Sequence, residues 1–172
     1  MLKQLITMQE AMNHEMYRQL FDTDIFIVQD HDNVNSFSLS EHPSDFIKLL
    51  ILLKDDDNIK ADAGSIELLK KIADFKNYNL GREKIRVANI SNQFTSFLRL
   101  SKQFSSPNIV CFGISAGELG LQIDAEINQL ICFAGVKLIF TESLQVILNN
   151  EKMKKQFFND ALLPMLTKDL PE

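Results

Sequence analysis

Leu5, Met8, Met12, Met16 and Leu20 recur at steps of three and four, a spacing that stacks them on one face of an N-terminal helix. Asp24-Ile-Phe-Ile-Val28 is short, β-branched and bounded by Asp, and reads as a first strand. The polar segment 29–36 reads as a loop, and Phe37-Ser-Leu39 as a short pairing partner. Pro43 biases His42 towards an extended backbone and breaks the chain. Ile47 to Leu53 is then apolar at nearly every position, which neither a half-exposed strand nor an amphipathic helix would show. A central strand covered on both faces fits, in a sheet with helices on either side.

Downstream, Ile66, Leu69, Ile72, Ala73 and Phe75 form a helical stripe that Asn79-Leu-Gly81 stops. Ile85 to Ile90 is the next strand. Ser91 or Asn92 is a suitable cap for a helix carrying Phe94, Phe97, Leu98 and Leu100. Ile109 to Phe112 is a further strand, and residues 113–129, with Gly113, Gly117 and Gly120, read as a flexible connection. Leu130 to Phe133 and Val136 to Phe140 are strand-like, with Gly135 between them as a bulge or bend. A tail of helices carries Leu144, Ile147 and Leu148, then Met153, Phe157, Phe158 and Leu162.

Composition narrows the function classes. With 172 residues, 45% of them hydrophobic and 24% charged, the chain suits one domain with a substantial core. Its net charge of -5 supplies no basic field for a phosphate backbone, so no direct nucleic-acid binding is expected. Lys152, Lys154 and Lys155 read as the solvated face of a helix. Cys111 and Cys132 lie in apolar runs, where thiols act as small hydrophobes, and their spacing fits neither a disulfide framework nor a metal site. No signal-peptide core or membrane span is evident, so a reducing, cytoplasmic setting without membrane partners is expected.

The most suggestive chemistry is Asp55, Asp56 and Asp57, directly after the central strand, where α/β sheets present their ligands. An enzyme reading has these carboxylates bind Mg²⁺ in a phosphoester hydrolase, or serve a nucleobase glycosylase. Consecutive residues on an extended segment point to opposite sides, however, and a solvated strand-to-helix turn accounts for the triplet more simply. The glycines 113, 117 and 120 are spaced wrongly for a dinucleotide fingerprint, and no phosphate loop follows. His14, His31 and His42 form no ligand pattern, and no serine lies in a nucleophile elbow. No catalytic residue, metal ligand or cofactor is therefore assigned.

The order of segments adds a further reading. A helical arm precedes Ile25 to Val28; then come Phe46-Ile-Lys-Leu-Leu-Ile-Leu-Leu-Lys-Asp-Asp56, the Leu-rich helix Ile66 to Ala73, and Ile85-Arg-Val-Ala-Asn89. The ending runs Val136 to Phe140, Ser143 to Asn150, then Glu151-Lys-Met-Lys-Lys-Gln-Phe-Phe158, with Lys154 or Lys155 ahead of Phe157 or Phe158. From about residue 17 onward this pattern resembles the psi subunit of bacterial DNA polymerase III holoenzyme. The resemblance implies a three-layer α/β/α fold, similar in outline to uracil-DNA glycosylases but without catalysis. It also implies an adaptor role in DNA replication, bridging clamp-loader subunits and an accessory chi-like subunit. The expected architecture is an α/β domain at 25–172, with a mostly parallel sheet of about five strands, behind a helical arm at 1–24. On that arm Met8, Met12, Met16, Tyr17 and Leu20 are the expected partner-binding residues, because unbranched Met side chains adapt to irregular surfaces.

Overall fold

The structure, a computed structural model, describes residues 34, 36–54, 63–75, 80–90 and 95–167. Six strands form one sheet: β1 (Ser36–Ser38), β2 (Leu49–Lys54), β3 (Ile85–Ile90), β4 (Asn108–Phe112), β5 (Leu130–Phe133) and β6 (Val136–Thr141). Their spatial order is β1-β3-β2-β4-β6-β5. The four inner strands run parallel, and β1 and β5 are antiparallel strands at the two edges. The sheet is therefore mixed and six-stranded, where about five mostly parallel strands were expected. The mixed character comes from the two edge strands, which pair antiparallel with β3 and β6. β1 is three residues long and polar at both ends, and β5 folds back on β6 through a hairpin.

β2 behaves as its unbroken apolar run predicts: Leu49 through Leu53 are all fully buried. Alternate side chains leave a strand on opposite faces, and the two hydrophobic clusters divide β2 accordingly. Leu49, Ile51 and Leu53 join helix α1 (Ala63–Ala73) and the C-terminal helices through Leu69, Ile72, Leu144, Ile147 and Phe157. Leu50 and Leu52 join helix α2 (Phe97–Phe104) through Phe97, Leu100 and Phe104. The crossovers explain the division. From β2 the chain passes by α1 to β3 on one side, then by α2 back across to β4 on the other. Right-handed crossovers in opposite directions put successive helices on opposite faces.

Several local expectations change. The cap of α2 is Ser96, whose Oγ accepts the Arg99 N–H, rather than Ser91 or Asn92. Residues 113–129 are not a loose connection, since Ile114, Ala116, Leu119 and Leu121 are buried in the α2-side cluster. Polar glycine-bearing sequence concealed four well-spaced apolar anchors. Ala134 and Gly135 form a two-residue hairpin turn with φ of 50° and 75°, not a bulge, and this twist suits the flanking strands. Cys111 is buried as expected, but Cys132 is exposed because its apolar run lies on the sheet edge.

At the C-terminus, α3 (Leu144–Asn149) is capped by Ser143, and Asn150 breaks the chain before α4 (Glu151–Gln156). The Asn150 Oδ1 accepts the Lys152 and Met153 N–H groups at 3.1 and 3.2 Å. A wide π-helical turn, Phe157–Leu162, then leads into α5 (Leu163–Thr167). Pro164 has no N–H to return to the preceding turn, which accounts for the widening. The Lys137 Nζ donates to the Met165 carbonyl at 2.9 Å and ties α5 to β6. Lys152 and Lys155 are exposed and Lys154 pairs with Glu151, so this basic group is a solvated helix face.

Candidate functional site

In an open parallel sheet the natural crevice opens beyond the carboxyl ends of the strands, where successive crossovers leave in opposite directions. Here that switch lies between β2 and β4. Lys54 ends β2, and residues 113–118 begin where β4 ends. The Lys54 Nζ reaches across to the Glu118 Oε1 at 2.8 Å and closes the gap. The Glu118 Oε2 accepts both the Ser115 N–H and the Ser115 hydroxyl, each at 2.8 Å. Ser115-Ala-Gly-Glu118 is thus a capping box on the short turn Gly117–Leu119. That Ser-x-x-Glu spacing is visible in the sequence, but no apolar helical run follows it to mark a helix start.

The same segment walls a cleft of about 440 Å³ over the ends of β4 and β6. Ile114, Ile123 and Ile127 give it an apolar side, and Glu118, Asp124 and Glu142 an acidic one. Its floor is held by backbone geometry. The Gly113 N–H donates to the Thr141 carbonyl at 3.0 Å, and the Thr141 hydroxyl donates to the Asn128 Oδ1 at 2.7 Å. Gly113, just past β4, has φ of 66°, and a Cβ there would lie 3.2 Å from the Ser143 Cβ, so a side chain at this position would be strained and crowded against the cap of α3.

Electrostatics restrict what the cleft can do. The Lys54 hydrogen bond, followed by the Ser115 N–H, holds Glu118 well below the usual carboxylate range, at about 2. A group so acidic stays ionised near neutrality and neither donates nor accepts a proton usefully there. Three carboxylates around the opening also oppose phosphate ligands, the usual occupants of such crevices. Cys111, although beside the switch on β4, is fully buried and its thiol pKa is raised by desolvation, so it is not a nucleophile. Among the described residues no group of three or more His, Cys, Asp or Glu side chains is arranged to hold a metal ion. On β3, Asn89 has a buried Oδ1 with no hydrogen-bond partner among the described residues.

The Glu118 clasp has a pH signature. A carboxyl whose pKa falls on folding contributes stability above its unfolded value near 4.5 and loses it as pH drops towards 2. With Lys54 and Glu118 side chains 39% and 45% exposed, solvent screening limits the contribution to about 1 kcal/mol or less. Glu118→Gln is therefore expected to be slightly less stable than the parent at pH 7 and to converge with it at the acid end of that interval. Urea denaturation across this range checks the convergence, and equal gaps at every pH would remove the ion pair as its cause.

The residues singled out from sequence fall elsewhere. Asp55, Asp56 and Asp57, and the arm residues Met8, Met12, Met16, Tyr17 and Leu20, all lie outside the described residues. The predicted strand Ile25 to Val28 does so too. Of the histidines, His42 is exposed and His14 and His31 lie outside the described residues. No helix among the described residues is long and apolar enough to cross a membrane. Compared with known proteins, the chain matches no family model and no curated protein, so the site rests on its geometry alone.

Proposed function

We infer that the protein is a non-catalytic adaptor of the psi-subunit kind, acting in the cytoplasm in a bacterial replication complex. In this reading the sheet and helices form a three-layer α/β/α domain. The arm at 1–24 binds a clamp-loader subunit, and an apolar surface of the domain holds a chi-like accessory subunit.

The observation that supports it best is the C-terminal succession: β6, the Ser143-capped α3, the break at Asn150, and α4 carrying Lys154 and Lys155 ahead of Phe157 and Phe158. This is the order on which the resemblance to the psi family rests. The two aromatic residues have separate duties in it. Phe157 fills the core against Phe112, with ring centroids 5.3 Å apart, while half-buried Phe158 covers Phe75 at 5.0 Å. The acidic cleft favours the same reading, because its carboxylate Glu118 is locked in an ion pair with Lys54 rather than poised for proton transfer.

The test is capture of clamp-loader subunits by the full chain. Met12→Asp or Met16→Asp should abolish capture while leaving the melting temperature unchanged, since a charge at a buried interface anchor removes packing and strands itself without a partner. Failure of the unaltered chain to capture any clamp-loader subunit would sink the proposal.

A further inference from the structure

The cleft over the ends of β4 and β6 has two kinds of wall, and together they select an occupant. Every residue lining it lies within 113–142, a stretch described throughout, and its volume of about 440 Å³ is that of a ligand site. Ile114 and Phe140 on the apolar side are buried, Ile123 is half-buried, and Ile127 is 56% exposed. Ile127 sits on a braced turn. The next residue, Asn128, has φ of 64°, donates its N–H to the Phe140 carbonyl at 2.8 Å and accepts the Thr141 hydroxyl on its Oδ1. A large aliphatic side chain is thereby held in water beside the cleft rather than folded into the core.

On the acidic side Glu118 is committed to Lys54. The carboxylates of Asp124 and Glu142 line the same cleft and have no ion-pair or hydrogen-bond partner among the described residues. Three simpler occupants fail on these walls. An anion meets like charge. A bare metal ion needs converging ligands, and among the described residues no three His, Cys, Asp or Glu side chains are arranged to supply them. A neutral apolar group would cover the isoleucines but desolvate Asp124 and Glu142 without giving them a partner. A cation carried on an aliphatic stem satisfies both sides, since its stem lies along apolar surface while its head reaches the carboxylates.

We propose that this cleft docks a partner protein through a basic side chain flanked by aliphatic residues, with the cation on Asp124 and Glu142 and the aliphatic groups on Ile123 and Ile127. Charge complementarity and the apolar wall set the chemistry of the contact. The choice of a protein chain over a free amine rests on the adaptor reading. Arginine suits the site better than lysine, because a planar guanidinium can donate to two carboxylates at once and is less strongly hydrated.

The test is a nuclear magnetic resonance titration of the isotope-labelled full chain with the capped tripeptide Leu-Arg-Leu. The amide signals of Gly113, Ser115, Gly117 and Ile127 should shift together and saturate. The citrulline analogue keeps the shape without the charge, and Gly-Arg-Gly keeps the charge without the aliphatic groups. Each should bind at least about fivefold more weakly. Asp124→Asn combined with Glu142→Gln, and separately Ile127→Ser, should weaken the tripeptide by a similar factor. Their melting temperatures should stay unchanged, because none of the three side chains is buried. Absence of saturable shifts, equal affinity for either analogue, or a variant that binds like the parent overturns the proposal. Free n-butylguanidine decides the source of the cation: affinity equal to that of the tripeptide would make the cleft a site for free amines and overturn docking. Clamp-loader capture, read through Met12 and Met16, tests the adaptor reading separately from every one of these outcomes.

Discussion

Ile51→Ala and Leu52→Ala are each expected to destabilise the domain by about 2–5 kcal/mol, although the two side chains point to opposite faces of the sheet. Both residues are fully buried. Ile51 belongs to the cluster with α1 and Phe157, and Leu52 to the cluster with α2. In a strand with one wet face, one of the two changes would fall within about 0.5 kcal/mol of neutral. Because the side chains touch different clusters, their costs should nearly add. The double variant then loses about 4–10 kcal/mol, a large part of the roughly 5–15 kcal/mol that holds a typical domain together, and should be largely unfolded at room temperature. Urea denaturation of both single variants is the measurement. A cost below about 1 kcal/mol at either position would show that β2 is not covered on both faces.

Phe157→Ala should cost about 3–5 kcal/mol, lowering the melting temperature by roughly 6–20 °C for a chain of this size. Phe157 is fully buried in the π-helical turn and touches rings on both sides, Phe112 on β4 and its neighbour Phe158. Its removal leaves a cavity between the sheet and the C-terminal helices, which the backbone, held by the Lys137 link from β6 to Met165, cannot readily collapse. Phe158→Ala, at a half-buried position, should cost clearly less. Thermal unfolding of the pair separates the roles. Equal losses would mean that the two rings share one packing environment, against the separate duties drawn for them above.

The acidic triplet and the cleft mark how far local sequence reaches. An unbroken run such as Ile47 to Leu53 reports its own environment, because no strand with a wet face tolerates it. Asp55 to Asp57 carries no such constraint: acidic residues suit a solvated turn and a ligand site equally, and only neighbouring side chains distinguish them. The cleft has no local signature in the sequence because its walls come from separate segments, with Glu118, Asp124 and Glu142 brought together by the packing of residues 113–129 against the α2-side cluster. Ser115-x-x-Glu118 was readable as a capping box, but its link to Lys54 spans 64 positions and depends on β2 and β4 being neighbours.

By itself, the sequence determined the order of strands and helices from β2 onward, the double burial of β2, and the helical stripe of α1. Each follows from side-chain periodicity, which the backbone geometry of a single element imposes. Tertiary structure alone decided which strands are neighbours, the antiparallel sense of β1 and β5, the burial of the glycine-bearing segment, and the exposure of Cys132. Pairing is set by contacts between distant segments, so identical apolar runs become core or edge according to what lies beside them. Cys111 and Cys132 show this directly. Both sit among apolar neighbours, but among the described residues β4 has a strand on each side, whereas β5 has one only on its β6 side.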